Sequence, residues 1–238
     1  MKNLRYLLTI FPLFWLTSVH GQEPNLIQGL NLDEEIRISR NSGNPETIPF
    51  TATTAVMMIM KSSRGTTVEI QDTQGKVKPE IAGKKELIPL QKGAYTLVIH
   101  SGEQAENGVI LEAVPIPEVE PDSEVMLSFS DSDPSISAIS FTVENAGDYR
   151  LEITVKRVGK PSFVGYNLCP EDEARNVYRG YRPNYSSRME DGVKISTIRM
   201  GRARLTPGRY YLSFLNNSGA PRGESVVKVT SSFDPSSR

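Results

Sequence analysis

The sequence is poor in the side chains that most enzyme chemistry needs. Of its 238 residues one is cysteine, two are histidine and one is tryptophan. A single thiol, Cys169, allows no intramolecular disulfide, so the fold must be held by apolar cores. Buried and inert is the expected state of that thiol, with pairing to another chain as the alternative. One cysteine and so few histidines also fall short of the nitrogen and sulfur ligands a zinc site uses. Excess charge of one sign is missing too: 27 Lys and Arg stand against 28 Asp and Glu. That balance argues against a nucleic-acid binder, which needs a basic face. Neither a phosphate-cradling glycine loop nor a dinucleotide fingerprint occurs.

The N-terminus has its own pattern. Met1 to Arg5 carries two cations and no acid, Tyr6 to Val19 is mainly apolar, and His20-Gly21-Gln22 turns polar. This is the layout of a secretory signal peptide over residues 1–21, with cleavage expected after Gly21. An uncleaved anchor is the alternative, but the apolar run is shorter than the roughly 20 residues a spanning helix needs, and Pro12 interrupts it. No later run is apolar enough to span a bilayer, so the expected location is secreted, periplasmic or at the cell surface.

The remainder reads as one module written twice. Glu35 to Ser39, a polar turn with Pro45 and then Ile48-Pro49-Phe50-Thr51 are matched by Val125 to Phe129, a turn with Pro134 and Ile139 to Val143. Val56 to Met60 matches Tyr149 to Val155, Leu90 to Ile99 matches Leu205 to Phe214, and Val109 to Val114 matches Ser225 to Val229. An offset of roughly a hundred residues is the size of a whole β-sandwich rather than a solenoid repeat. Period-two alternation, as in Tyr149-Arg150-Leu151-Glu152-Ile153-Thr154-Val155-Lys156, predicts half-buried antiparallel strands. In the same way Tyr210, Leu212 and Phe214 alternate with Tyr211, Ser213 and Leu215. Helix signals are confined to Pro170-Glu171-Asp172-Glu173-Ala174-Arg175, which could start one turn inside a loop.

The expected fold is therefore all-β: two tandem antiparallel β-sandwiches of Greek-key or jelly-roll type after the signal peptide. The first covers 22–116, a proline-rich linker covers 117–121, and the second covers 122–233, leaving a tail at 234–238. Prolines in the linker remove backbone donors and favour an extended, semi-rigid connector. Gly-x-Tyr opens a strand three times, at Gly93-Ala94-Tyr95, Gly147-Asp148-Tyr149 and Gly208-Arg209-Tyr210. These read as corner tyrosines whose ring is buried and whose hydroxyl returns to a nearby backbone group.

The order of a Phe-Thr-Val strand (Phe141 to Val143), a Gly-x-Tyr strand, an Asp-x-x-Gly turn (Asp72-Thr73-Gln74-Gly75) and a closing Leu-x-x-Gly-x-Tyr-Tyr strand resembles the pre-peptidase C-terminal (PPC) domain of secreted bacterial proteins. The resemblance covers most of both copies. It implies non-catalytic accessory modules, usually appended to secreted peptidases, some relatives of which, in collagenases, bind calcium and collagen. This chain departs from the pattern in having no protease domain and in a long insertion between Lys160 and Arg204, which removes the peptidase inference.

Few groups remain for catalysis. His100 is the only histidine after signal removal, and its parity places it on the strand face opposite Tyr95, Leu97 and Ile99, as a half-exposed sheet residue. No catalytic residues are assigned, and the chain is read as not an enzyme; a hydrolase relying on carboxylates alone is the alternative. No cofactor is called for. Calcium is the one metal that oxygen donors here would suit, at Asp131 and Asp133, with Asp33-Glu34-Glu35 and Glu171-Asp172-Glu173 as weaker clusters. Such turn acids also serve simply to cap and solvate.

The oddity is the insertion spanning 160–204, where Tyr178, Arg179, Tyr181, Arg182, Tyr185 and Arg188 combine flat rings with guanidinium forks in a loop-like stretch. The composition suits a binding surface for an extracellular polymer, polysaccharide or matrix protein, or for a protein partner. The alternative is that the tyrosines seal the sandwich while the arginines solubilise it. A second class of function is a structural envelope protein that assembles through exposed sheet edges.

Overall fold

The structure, a computed structural model, describes residues 25–32, 34–37, 45–63, 65–78, 86–101, 108–120, 123–130, 136–157, 166–171, 178–179, 184–191, 193–215 and 222–232. Among them every regular element is a β-strand. In chain order these are β1 (Ile27–Gln28), β2 (Glu35–Ile36), β3 (Glu46–Ala52), β4 (Val56–Ser62), β5 (Thr66–Asp72), β6 (Glu86–Leu90), β7 (Gly93–Ser101), β8 (Val109–Pro115) and β9 (Glu124–Ser130). There follow β10 (Ile136–Val143), β11 (Gly147–Arg157), β12 (Tyr166–Pro170), β13 (Tyr178–Arg179), β14 (Asn184–Glu190), β15 (Val193–Leu205), β16 (Gly208–Leu215) and β17 (Arg222–Ser232).

They form four antiparallel sheets. The first has the order β1-β3-β7-β5 and the second β2-β8-β4-β6; the third is β10-β16-β12-β13 and the fourth β14-β15-β11-β17-β9. The orders correspond strand for strand, since β3-β7-β5 runs as β10-β16-β12 does and β2-β8-β4-β6 as β9-β17-β11-β15. Phe50 faces Tyr95 across β3 and β7 with ring centroids 5.7 Å apart, and Phe141 faces Tyr210 across β10 and β16 at the same distance.

Alternation decides which face of each strand is buried, and here it produces three apolar interiors rather than two. Phe50, Ile70, Leu97 and Ile99 of the first sheet meet Val56, Met58, Met60 and Leu111 of the second. Ile139, Phe141, Leu212 and Phe214 of the third meet Tyr149, Ala203 and Leu205 of the fourth. Between the pairs lies a further layer: Met57, Ile59, Leu87 and Val114 of the second sheet pack on Ile136, Ala138, Cys169 and Tyr211 of the third. The sheets thus stack in the order first, second, third, fourth. All of Val56 to Met60 is buried because β4 feeds one interior with its even positions and another with its odd ones.

This corrects the expectation that Tyr211 and Ser213 line an outward face. Both are buried, because that face of β16 is covered by the second sheet. The outer face of the first sheet, which no other described sheet covers, shows the contrast. Counted from the paired rings, Thr47, Gln71 and Thr96 hold the ladder places that Ala138, Cys169 and Tyr211 hold in the third sheet. Polar side chains end the stack there.

The linker is not a spacer. Ile116 donates its backbone N–H to Ala55 at 2.9 Å, Val119 donates to Ser140 at 2.8 Å, and Ser140 donates to the Pro117 carbonyl at 2.9 Å. Proline removes donors only at its own positions, leaving Ile116 and Val119 free to bond and to bury their side chains. Arg209 donates to the Glu118 carboxylate at 3.1 Å and pins the segment further.

The insertion also differs from its loop-like appearance. Its described residues are strands: β13 pairs with β12, and β14 forms a hairpin with β15 through Asp191, whose φ of 48° fits the left-handed region a tight turn uses. The β-branched Ile195, Thr197 and Ile198 supply the strand preference.

Candidate functional site

Each Gly-x-Tyr tyrosine behaves as a corner residue. The hydroxyls of Tyr95, Tyr149 and Tyr210 donate to the carbonyls of Gln91, Asn145 and Thr206 at 2.9, 2.9 and 3.1 Å, always four residues upstream. His100 lies exposed on the outer face of the first sheet, 4.0 Å from Glu69. Cys169 is a buried thiol outside any disulfide, and burial pushes it up to about 12. These two are on different sheets and do not form a nucleophile and base pair.

The residues singled out for binding fall mostly beyond reach. Tyr181 and Arg182, and the side chains of Tyr178, Arg179 and Tyr185, lie outside the described residues, as do residues 1–24 and 233–238. Arg188 is exposed and paired with Glu190 on β14. Asp131 and Asp133 of the candidate calcium turn, together with Asp33, Asp172 and Glu173, also lie outside the described residues. Among the described residues no group of three His, Cys, Asp or Glu converges to hold a metal ion.

What the structure does assemble is a cleft of about 800 Å3 at the seam between the two sheet pairs. It is built from local chemistry. The Asp72 carboxylate accepts from the backbone N–H groups of Gln74 at 2.9 Å and Lys76 at 3.0 Å, fixing the turn, while Gly75 supplies a φ of 76°. The Lys76 hydrogen bond, with smaller help from Gln74 and Lys78, holds Asp72 below its ordinary range. The chain then returns along β5, with Lys78 donating its N–H to Ile70 at 2.8 Å. The Lys78 ammonium comes within 3.3 Å of Asp72 and 5.8 Å of the Tyr95 ring centre. Thus Lys76, Val77 and Lys78 line one side.

The floor is a hydrogen-bonded knot. Gln91, in the turn before β7, donates its amide to the Tyr211 hydroxyl at 2.7 Å and to Glu171 at 3.2 Å. Tyr211 in turn donates to the same Glu171 oxygen at 2.8 Å. Burial first, and then the Glu171 carboxylate, raise the Tyr211 phenol far above its ordinary range. Burial likewise raises Tyr95. Glu69, Thr67 and Pro89 complete the walls. The site therefore offers charges of both signs, an amide and one apolar side chain at the mouth, Val77, 49 % exposed. Histidine and cysteine are absent from its lining.

Sequence reasoning missed this site because the motifs that reach it, the Asp72 turn, Tyr95, Tyr211 and the Glu171 cluster, lie far apart in the chain and each read as a separate local feature. A signal did exist: Tyr211 is a large ring on the strand face expected to be polar, and Val56 to Met60 is apolar without alternation. Both imply a second covered face.

No family model matches the chain, and no curated protein does. Among solved structures it is similar to the pre-peptidase C-terminal domain of a collagenase from Bacillus anthracis, at 17 % identity and a TM-score of 0.32, covering 48 % of this chain and 94 % of that one. It is also similar to the 11S allergen of Cocos nucifera, at 8 % identity and a TM-score of 0.14, covering 88 % of this chain and 90 % of that one. An oxalate decarboxylase mutant of Bacillus subtilis shows 10 % identity and a TM-score of 0.13, covering 90 % of this chain and 81 % of that one.

Proposed function

We propose that this chain is an exported, non-catalytic accessory module that holds an extended segment of an extracellular protein in the seam cleft, and that its two sheet pairs are tandem PPC-like copies. The observation that carries the reading is the Gln91-Tyr211-Glu171 knot, which ties both copies together under the cleft and so fixes its walls in advance. A preformed groove with an exposed Val77, Lys76 and Glu69 matches the alternating apolar and charged side chains of a polypeptide. Its tyrosine hydroxyls are engaged internally and their rings buried, so they offer no flat platform to a sugar ring. A polypeptide is therefore favoured over a polysaccharide. The corner tyrosines and matching strand orders support the duplicated reading.

The test is binding of the mature chain to an array of extended peptides of mixed charge and, separately, to soluble polysaccharides. Peptide binding that falls at least tenfold in Lys76→Glu/Val77→Asp, with an unchanged melting curve, is expected. Selective polysaccharide binding would overturn the choice of ligand. Binding lost only in Tyr178→Ala/Tyr181→Ala/Tyr185→Ala would move the site to the Tyr/Arg insertion.

A further inference from the structure

A β-sandwich must protect the outer edge of every terminal strand, because unpaired N–H and C=O groups there invite another strand. The described edges can be compared one by one. β1, β2 and β13 are two residues long. The outer side of β5 is bonded by its own return at Lys76 and Lys78, and β10 by the linker at Pro117 and Val119. β6 is a short strand carrying Pro89. β14 displays Arg188 and Glu190.

β9 has none of these devices. It runs seven residues, Glu124–Ser130, with no proline, lysine or arginine, and pairs with β17 alone among the described residues. Val125 and Leu127 pack against the core between the third and fourth sheets, while Met126 between them is 62 % exposed. A single charge stands at its first position.

We infer that β9 is a self-association edge, at which two copies of the chain pair antiparallel about a two-fold axis and join their fourth sheets into one. The strand is complementary to itself in that direction. Pairing centred on Met126 sets Glu124 opposite Ser128 and Val125 opposite Leu127; pairing centred on Leu127 sets Glu124 opposite Ser130. Neither register opposes like charges, and both keep the odd positions on one face, so the core-facing side stays continuous. In-register parallel pairing would set Glu124 against Glu124. A two-fold pair also closes on itself and consumes both edges, which an unrelated strand does not. The dimer does not depend on the seam cleft, which lies on other elements.

The test is sedimentation of the mature chain over a concentration series. A monomer–dimer equilibrium is expected, weakened at least tenfold by Met126→Lys, whose exposed position leaves the melting curve unchanged. In the register centred on Met126, Met126→Cys is expected to cross-link between copies under mild oxidation, since directly opposed Cα atoms about 4.5–5.5 Å apart permit a disulfide, whereas the register centred on Leu127 gives the tenfold weakening by Met126→Lys without that cross-link. The native chain, whose thiol is buried, serves as the uncross-linked control. A chain that stays monomeric at every concentration, a dimer indifferent to Met126→Lys, or a dimer lost only in Met189→Lys on β14 overturns the inference. So does a chain that remains monomeric while capturing a foreign extended peptide at β9.

Discussion

The Gln91 amide and the Tyr211 hydroxyl meet at 2.7 Å although 120 residues separate them in the chain. Tyr211 donates its own hydrogen bond to Glu171, so one phenol joins the turn before β7 to the end of β12. Tyr211→Phe keeps the ring in the interior between the second and third sheets and removes only these bonds. The expected loss is about 1–2 kcal/mol in urea unfolding, since Gln91 and Glu171 can turn to water.

Alkaline pH should loosen the same layer. Cys169 and Tyr211 both ionise later in the folded chain than in the unfolded one. Above the unfolded value of the thiol, 9.0, the unfolded chain holds fewer protons, so stability falls as pH rises. The thiol's contribution is complete below 9.0 and disappears by about 12. That of Tyr211 begins to fall near 10.0. Melting temperatures measured from pH 7 upward should be level to pH 9 and then decline, and Cys169→Ala should flatten the first part of the decline.

Ile59 is fully buried in the layer between the second and third sheets. Ile59→Ala is expected to cost about 2–5 kcal/mol, the range for an aliphatic deletion in a closed interior. Its neighbour Met58 faces the first core, so Met58→Ala should cost a similar amount. If the layer were a loose contact, Ile59→Ala would cost under about 1 kcal/mol in the same denaturation experiment.

The three corner tyrosines offer a matched set. Tyr149→Phe removes one hydroxyl-to-carbonyl bond and is expected to lower stability by about 0.5–1.5 kcal/mol without altering peptide binding. Tyr95→Phe should cost a similar amount, while its ring remains beneath Lys78 in the cleft.

The layout was largely legible because antiparallel sandwiches write themselves in alternation and turns. Tyr149, Tyr210 and the Asp72 turn did what their residue types require. The seam was not legible, since period two reports that a face is apolar but not what covers it. Met57 and Ile59 read as part of one apolar run, and their separate partner, the face carrying Cys169 and Tyr211, lies well over a hundred residues further on. The Tyr178 to Arg188 stretch read as a loop because its ring and guanidinium content masked the strand preference of Asn184–Glu190. Gln91 carries no local signal and Glu171 read only as part of an acidic turn; tertiary placement alone brings them together.

The doubly buried β4 bears on how this gene can be dissected. A cut near Pro117 would leave Met57, Ile59 and Leu87 bare on one fragment and Ile136 and Tyr211 bare on the other. Each piece would carry an apolar patch that the intact polypeptide buries, and separate expression should yield insoluble material. The four stacked sheets are in that sense a single inheritable unit.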